Sequence, residues 1–205
     1  HGNWKLYAEN TRDPYHASLL HLFHNTFGLY RSTQTGKSVM DANKRHSLLY
    51  SIAASNDDAA DKQAYGDSRT FDTEFKLQDM SLLKGRQEFD DGVTLVILAV
   101  RQTVTKGTDG FELVWTHFGY ADDDVEMQAI RQKQANLIGP AGLVSMEDGE
   151  AVEIVQRAVI GEHDAASYIA MGGDRPDDAD HLVTEGAIIG FWHNYEKLVG
   201  FGIAP

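Results

Sequence analysis

Three histidines and two acids lie in one short segment, Glu9 to His24, which has the sequence ENTRDPYHASLLHLFH. Neutral imidazole is the commonest metal ligand in proteins, so this segment is a candidate metal site. On an ideal helix His21 and His24 share a face, whereas His16 and His21 are five residues apart and lie about 140° from each other. Spacing alone therefore selects His21 with His24, and it selects His16 with His21 only if the helix is distorted.

A transition metal here must take nitrogen and oxygen ligands, because the chain has no cysteine. Two histidines and one carboxylate form the facial triad of non-haem Fe(II) oxygenases. The run GPAGLVSMEDGE offers three acids for the third place, Glu147, Asp148 and Glu150. Ser145 and Asp148 also resemble a helix capping box, which would explain one of these acids structurally. An ordinary surface or core role for the histidines remains open at this point.

Composition and charge limit the classes of partner and the location that we expect for this chain. The chain has 205 residues, enough for one large domain or two small ones, and a formal net charge of −13. So acidic a chain repels phosphate backbones, and nucleic acid is not expected as a partner. No apolar run approaches the roughly 18 residues of a membrane span, and no signal peptide is visible. We therefore expect a cytoplasmic protein with no membrane partner. The opening residues, which lack an initiator methionine, suggest a domain of a longer chain.

Capping and turn signals predict the elements that position these residues. Trp4 to Glu9 is predicted as a strand, and Asp13 followed by Pro14 predicts a helix from Pro14 to about Phe27. Apolar runs predict strands at His46–Ala53, Gly92–Val100 and Phe111–Tyr120, and turn residues predict a turn at Asp109-Gly110 between the last two and a loop at Ser55–Arg69. Helices are predicted at Asp122–Ile138, Met146–Ile160 and Glu185–Val199. The second of these has Val152, Val155 and Val159 on one face, and the third has Thr184 as a possible N-cap. This pattern favours an α+β fold with an antiparallel sheet.

The motifs NWKLYAEN…DPYHASLLH and, far downstream, NLIGPAGLVSMEDGE resemble the catalytic domain of the large subunit of a Rieske-type aromatic-ring-hydroxylating oxygenase. The resemblance extends along essentially the whole chain. It implies an antiparallel sheet wrapped around a long C-terminal helix, the helix-grip or START-like arrangement. It also implies that residues 1–205 form the mononuclear non-haem iron domain, and that an N-terminal Rieske domain lies outside this sequence.

The resemblance assigns the iron ligands residue by residue. Asp-x-x-His-x-x-x-x-His matches Asp13, His16 and His21, so His16 and His21 are the implied ligands and His24 is not. The family's carboxylate ligand falls at Asp148. This assignment requires a distorted helix, against the spacing argument.

The same resemblance implies roles for four other residues. Asp13 would link the iron site to the Rieske centre of a neighbouring subunit, and a carboxylate beside a ligating histidine also orients it. Asn10 resembles the family's asparagine near the iron, although it stands one residue closer to the aspartate than in naphthalene-type relatives. Ile138 and Val144 occupy positions that resemble the pocket wall, and plain core packing explains them equally well.

The implied activity is hydroxylation of an aromatic ring with O₂ and electrons from NAD(P)H. The electrons would pass through a reductase and a ferredoxin to a Rieske [2Fe–2S] cluster. That cluster needs two cysteines and two histidines, so it cannot be held by this chain. The implied assembly is a homotrimer, or an α3β3 complex with a small subunit.

Within the family, the motifs are most similar to subunits acting on aromatic carboxylates: salicylate, terephthalate, anthranilate and ortho-halobenzoates. Terephthalate-type relatives carry an arginine where TEGAIIGFW has Ile189, and arginine is the natural clamp for a second carboxylate. We therefore expect a monocarboxylate, with salicylate hydroxylated to gentisate as the specific hypothesis. Fewer residues than in the family follow Val100, so pocket residues from that stretch are not identified.

Three other classes remain open: a ligand carrier, a zinc hydrolase and a purely structural subunit of an assembly. A helix-grip ligand carrier would use a similar apolar cavity with no metal. A zinc hydrolase would use the same three ligands, with Glu147 or Glu150 as its general base.

Overall fold

A computed structural model describes residues 1–27, 30, 34–51, 78–87, 94–95, 97–161 and 175–200. Besides a 3₁₀ turn at Met80–Leu83, the helices and strands are, in chain order, α1 Trp4–Asn10, α2 His16–Leu20, α3 Leu22–Phe27, β1 Gly36–Met40, β2 Ser47–Ser51, β3 Arg86–Gln87, β4 Thr94–Leu95, β5 Ala99–Thr105, β6 Phe111–His117, α4 Val125–Ile138, α5 Leu143–Gly161 and α6 Gly186–Val199.

The chain divides into two compact units. The first comprises His1–Leu6 and Lys76–Glu162, and the second comprises Tyr7–Phe75 and His163–Pro205. In the described ranges the strands form three antiparallel pairs, β1 with β2, β3 with β4 and β5 with β6. The predicted α+β class is therefore confirmed, but these separate pairs do not confirm the predicted sheet wrapped around the C-terminal helix. Of the described helices, none combines the length and the apolar character needed to cross a bilayer.

The β5–β6 hairpin dominates the sheet structure of the first unit. Its register runs from Ala99 opposite His117 to Thr105 opposite Phe111, and the predicted turn at Asp109-Gly110 is confirmed. The predicted continuous strand Gly92–Val100 is wrong, because β4 pairs with β3 while β5 pairs with β6. Strand β5 passes through Val100 and Arg101 without interruption.

The predicted strand Trp4–Glu9 is a helix instead, α1. The missed signal is Asn3, whose side-chain oxygen accepts the backbone N–H of Lys5 at 3.0 Å. Asparagine is a favoured residue at helix starts because it satisfies such an N–H group. Tyr7, one turn into the helix, is 5% exposed, and its burial adds stability that a sequence pattern of seven residues does not reveal.

The GPAG corner between α4 and α5 explains the glycines there. A Cβ on Gly142 would lie 2.0 Å from the carbonyl oxygen of Leu137, so only glycine fits. Helix α5 begins at Leu143, three residues before the predicted Met146, and Ser145 is therefore inside it. The Ser145 hydroxyl donates to the carbonyl of Ile138 at 2.5 Å. The capping-box interpretation of Ser145 and Asp148 is therefore wrong.

The predicted apolar face of α5 is only partly buried. Val152 is 6% exposed, whereas Val155 and Val159 are 43% and 52% exposed. Helix α4 begins at Val125 rather than Asp122, because the Asp124 side chain accepts the N–H of Met127 at 2.8 Å and so fixes the start.

In the second unit, strand β1 is anchored on both sides. It pairs with β2, and Ser38 forms a bridge to Ala179 through two hydrogen bonds of 2.9 Å. The predicted N-cap of the last helix, Thr184, is wrong by one residue, because Glu185 occupies that position. The hydroxyl oxygen of Thr184 still accepts the N–H of Gly186 at 3.1 Å. The predicted loop Ser55–Arg69 lies outside the described residues.

Candidate metal centre

The histidine-rich helix is broken at His21. Helix α2 ends there with φ −78° and ψ 101°, an extended conformation, and α3 begins at the next residue. The N–H of His21 still reaches the carbonyl of Ala17 at 3.3 Å. The predicted continuous helix from Pro14 to Phe27 is therefore wrong, although residues 16–27 contain neither proline nor glycine.

The break brings His16 and His21 together. Their ring centres are 5.3 Å apart with the planes at 61°, whereas an unbroken helix would turn them about 140° from each other. Two imidazoles bound to one ion at about 2.1 Å from each nitrogen have ring centres roughly 5 Å apart. The distortion on which the resemblance depended is present, and this geometry fits a shared metal.

Ring distances alone do not separate the two candidate pairs. His24 lies 5.4 Å from His21, with the planes at 85°. Its ring also lies 5.8 Å from those of Phe23 and Tyr30. The distinction between His16 and His24 must therefore come from what orients each ring.

His16 is oriented through both of its ring nitrogens. Its Nδ1 lies 2.5 Å from the backbone oxygen of Asp13. A carbonyl only accepts, so Nδ1 carries the proton and Nε2 keeps the lone pair. The amide nitrogen of Asn10 lies 3.4 Å from that Nε2. This is the tautomer that a ligating histidine uses when a neighbouring group holds its other nitrogen, and the contacts bring both Asn10 and Asp13 to His16.

The Asp13 carboxylate holds the start of α2. Its Oδ1 accepts the N–H groups of Tyr15 and His16, both at 3.0 Å. The predicted capping role is confirmed, but the helix begins at His16 rather than Pro14. Asp13 thus fixes the backbone of His16 with its side chain and the imidazole with its carbonyl.

Asp148 belongs to the first unit, on helix α5. It is 7% exposed, while Glu147 is partly exposed and Glu150 is exposed. Carboxylates are rarely fully buried unless they are paired or bind a metal. Burial therefore singles out Asp148 among the three acids of this run, in agreement with the carboxylate that the resemblance selected.

Ile138 and Val144 flank the GPAG corner. Ile138 is the last residue of α4 and Val144 the second of α5, and both are partly buried. The hydrogen bond from Ser145 to the carbonyl of Ile138 ties these two ends together. The corner thus gives both side chains a fixed backbone.

Two carboxylates that the sequence did not single out hold the second unit together. Trp192 Nε1 donates to Glu9 Oε1 at 2.7 Å, and the Tyr15 hydroxyl donates to Glu185 Oε1 at 2.9 Å. Tyr15 and Trp192 are both partly buried. The available signal was chemical, since a buried indole N–H or phenol O–H needs an acceptor.

Burial raises the pKa of Glu9, and the nearby charges of Glu185 and Asp13 add to the rise, while the hydrogen bond from Trp192 opposes it. Burial likewise raises the pKa of Tyr15 and raises that of Tyr30 to about 12. The Tyr30 hydroxyl donates to the carbonyl of Pro14 at 2.6 Å. Both phenols therefore stay protonated, as hydrogen-bond donors, at neutral pH.

The candidate ligands are nitrogen and oxygen donors in an α+β protein without cysteine. The chain therefore belongs to the class of candidate non-haem metal proteins. No family model matches the sequence. Three curated relatives do match it over 97% of the chain: the anthranilate 1,2-dioxygenase large subunit of Burkholderia cepacia (44% identical), the terephthalate 1,2-dioxygenase terminal oxygenase component subunit alpha 2 of Comamonas sp (44%) and the salicylate 5-hydroxylase large oxygenase component of Ralstonia sp (35%).

The chain is therefore homologous, over nearly its whole length, to the large subunits of Rieske-type aromatic ring-hydroxylating oxygenases, and the predicted resemblance is confirmed. It spans about half the length of these relatives, between 50% and 51%. All three are named as dioxygenases or a hydroxylase, and all three names contain an aromatic carboxylic acid.

The raised pKa of Glu9 predicts that the free energy of unfolding depends on pH. A carboxyl whose pKa is higher in the folded state binds more protons there, so stability falls as pH rises from 4.5, its ordinary value, through the folded pKa. Glu9→Gln keeps an acceptor for Trp192 and removes this dependence. The free energy of unfolding in urea, measured from pH 4.5 to neutral pH, should increasingly favour the variant. The exposed Glu126 provides the control, Glu126→Gln, and a pH-independent difference for Glu9→Gln would contradict the prediction.

Proposed function

We propose that this chain is the iron-binding catalytic part of the large subunit of an oxygenase that hydroxylates an aromatic carboxylate. The observation that carries the proposal is the break at His21, which brings two imidazoles of an otherwise helical segment to 5.3 Å between ring centres. The homologues supply the reaction class, since each is named for oxygenation of an aromatic acid.

His16, His21 and Asp148 would hold a mononuclear Fe(II). The donor set suits this ion, because two imidazoles and one carboxylate leave coordination positions open. Support comes from the proton position on His16, from the burial of His21 at 3% and from the burial of Asp148 at 7%. Bound iron would supply the activation of O₂ for attack on the ring.

The residues of this chain do not fit a Rieske cluster, because the sequence contains no cysteine. We propose that the electrons reach the iron site from a [2Fe–2S] cluster held outside this sequence, supplied by NAD(P)H through a reductase and a ferredoxin. Two of the relatives are named as oxygenase components, which supports a multicomponent system. A homotrimer, or an α3β3 assembly with a small subunit, is the proposed setting.

Asp13 is proposed to join that electron supply to the iron ligand. It already contacts His16 through three hydrogen bonds or close approaches: Oδ1 to the backbone N–H at 3.0 Å, Oδ1 to Nδ1 at 3.7 Å and the carbonyl to Nδ1. Asn10, whose amide nitrogen lies 3.4 Å from Nε2 of the same ring, is proposed to lie beside the iron, because bound iron would take the one lone pair of Nε2. Asp13 thus combines the positioning of His16 with the proposed link to the electron supply.

The proposed substrate is an aromatic monocarboxylate, and salicylate converted to gentisate is the specific hypothesis. Ile138 and Val144 are proposed as apolar parts of the pocket wall, on the fixed corner between α4 and α5. Ile189 lies on α6. It offers no charge to a second carboxylate, which supports a monocarboxylate.

The ligand set predicts a sharp pattern of metal content. After anaerobic reconstitution with Fe(II), the full-length wild-type protein should hold close to one mononuclear iron per chain beyond the two irons of the [2Fe–2S] cluster, measured by plasma emission spectroscopy. His21→Ala and Asp148→Ala should lose most of it, because each removes a ligand, whereas His24→Ala should retain it. Loss in His24→Ala with retention in His21→Ala would make the ligand set wrong. Absence of the mononuclear iron from the wild type would favour a ligand carrier.

Asp13→Asn separates electron supply from metal binding. Asparagine keeps an Oδ1 acceptor for the N–H groups of Tyr15 and His16, so iron content should stay near the wild-type value. The negative charge is lost, and turnover of the full-length enzyme should stop. Glu150→Gln, at an exposed acid, is the matched control for loss of one charge. Hydroxylation by Asp13→Asn at the wild-type rate would show that Asp13 has no such role.

Substrate choice is tested with the full-length oxygenase and its electron donors. The kcat/KM for salicylate should exceed those for anthranilate and terephthalate, with gentisate identified by chromatography. Ile189→Arg should raise the ratio for terephthalate over salicylate, because arginine can clamp a second carboxylate, and Ile189→Leu should not. A preference for terephthalate in the wild type would contradict the monocarboxylate proposal.

A further inference from the structure

A second concave site lies in the second unit, away from the histidine pair. It is a cavity of about 290 Å³ between the turn that joins β1 to β2 and the C-terminal half of α6. The turn contributes Lys44 and Arg45, and the helix contributes His193, Asn194 and Lys197. No residue of the candidate metal centre lines it.

The charge of this cavity opposes that of the chain. The protein carries a net charge of −13, yet the cavity is lined by two lysines, an arginine and a histidine, with no acid among its lining residues. The Lys44 ammonium has a partial partner in Asp178, at 3.7 Å. Among the described residues, no carboxylate lies within ion-pair distance of Arg45 or Lys197. The cavity therefore concentrates positive charge that the described residues leave largely uncompensated.

Ordinary surface roles explain only part of this cluster. Lys197 stands in the last turn of α6, where a cation is favoured by the helix dipole. His193 lies four residues earlier and therefore on the same face of the helix. Arg45 reaches the same cavity from a different element. A bound anion would be attracted by Arg45 and Lys197 together.

The wall formed by the turn is rigid before any ligand arrives. The Asp41 carboxylate accepts the N–H groups of Arg45 at 2.6 Å and His46 at 3.0 Å, and these bonds lower the pKa of Asp41. Lys44 adopts a left-handed conformation, with φ 56°. A turn held in this way lowers the ordering cost of binding.

Gly190 fixes the distance between the two walls. A Cβ at this position would lie 2.8 Å from the carbonyl oxygen of Lys44 and 2.5 Å from the Met40 side chain. The turn therefore packs directly on the backbone of α6. The basic side chains of both elements converge on one space because of this close approach.

We propose that this cavity binds a small oxyanion, either a carboxylate or a phosphate. Arg45 supplies a planar pair of N–H donors that matches both groups, Lys197 supplies a point charge, and the amide of Asn194 supplies a neutral donor. The site is independent of the iron proposal, since the two share no residue.

The test is binding to the full-length protein at low ionic strength and neutral pH, measured by isothermal titration calorimetry. Inorganic phosphate and acetate are the two probes, and acetate avoids the aromatic acids proposed as substrates. Saturable binding of at least one probe should weaken by about tenfold or more in the double variant Arg45→Gln/Lys197→Gln, because charge-assisted hydrogen bonds are lost. The variants' urea midpoints should match the wild type, since both side chains are exposed.

Lys84→Gln is the matched control, because it removes one exposed positive charge from the first unit, where Lys84 pairs with Glu126 at 3.0 Å. Binding should be unchanged in it. Preference for phosphate would identify a tetrahedral oxyanion and preference for acetate a carboxylate, and either supports the site. Absence of saturable binding, or an equal loss in Lys84→Gln, would overturn the proposal. If the double variant is less stable, the single variant Lys197→Gln decides between these outcomes.

Discussion

An α-helix cannot turn residues two apart toward the same side, and this constraint governs the histidine segment. His21 and Phe23 are both buried, at 3% and 7% exposed. A continuous helix would bury one of them and expose the other. The extended conformation of His21 removes the conflict, and it leaves Leu19 and Leu22 exposed at 77% and 68%. The close approach of the His16 and His21 rings is a direct consequence.

Asp13 connects this break to the start of the same short helix. One residue caps α2 with its carboxylate and fixes the His16 imidazole with its carbonyl oxygen. The helix between this cap and the break has only five residues. Such a short helix has little stability of its own, so its position depends on these contacts and on packing. The orientation of His16 is thus set by one end of α2, and that of His21 by the other.

Partly buried carboxylates are a recurring feature of the second unit. Burial raises the pKa of Glu9 and of Tyr15, and nearby carboxylates add to both rises: Asp13 and Glu185 at Glu9, and these two with Glu9 at Tyr15. The free-energy cost of partly burying Glu9 and Glu185 is offset by hydrogen bonds from donors that stay protonated, the Trp192 indole and the Tyr15 hydroxyl. Arg12 is also partly buried, with its guanidinium 4.0 Å from the centre of the Phe191 ring. These contacts join residues 9–15 to helix α6 and its N-cap, at least 170 residues away in sequence.

The sequence by itself determined which ligand types a metal could have here and several features of the local structure. Absence of cysteine limited a metal to nitrogen and oxygen donors, and Asp109-Gly110, the GPAG corner and Thr184 marked a turn, a break and a helix start because such signals act over two or three residues. The resemblance carried His16, His21 and Asp148 as candidates, and burial agrees with Asp148. Predictions from sequence spacing were wrong where tertiary packing outweighs local preference. They joined α2 and α3 into one helix, assigned α1 as a strand, and joined β4 and β5 into one strand.

Only the tertiary structure decided the break at His21, the partners of Glu9 and Glu185, and the convergence of Arg45 with Lys197. In each case the deciding contact joins residues that the local pattern does not relate, through burial of a side chain or close approach of two backbones. Neither proline nor glycine marks the break, since its cause is the simultaneous burial of His21 and Phe23. Local propensities are worth a few tenths of a kcal/mol per residue, and burial of one such side chain is worth roughly 1.5–3 kcal/mol, so packing prevails where the two conflict.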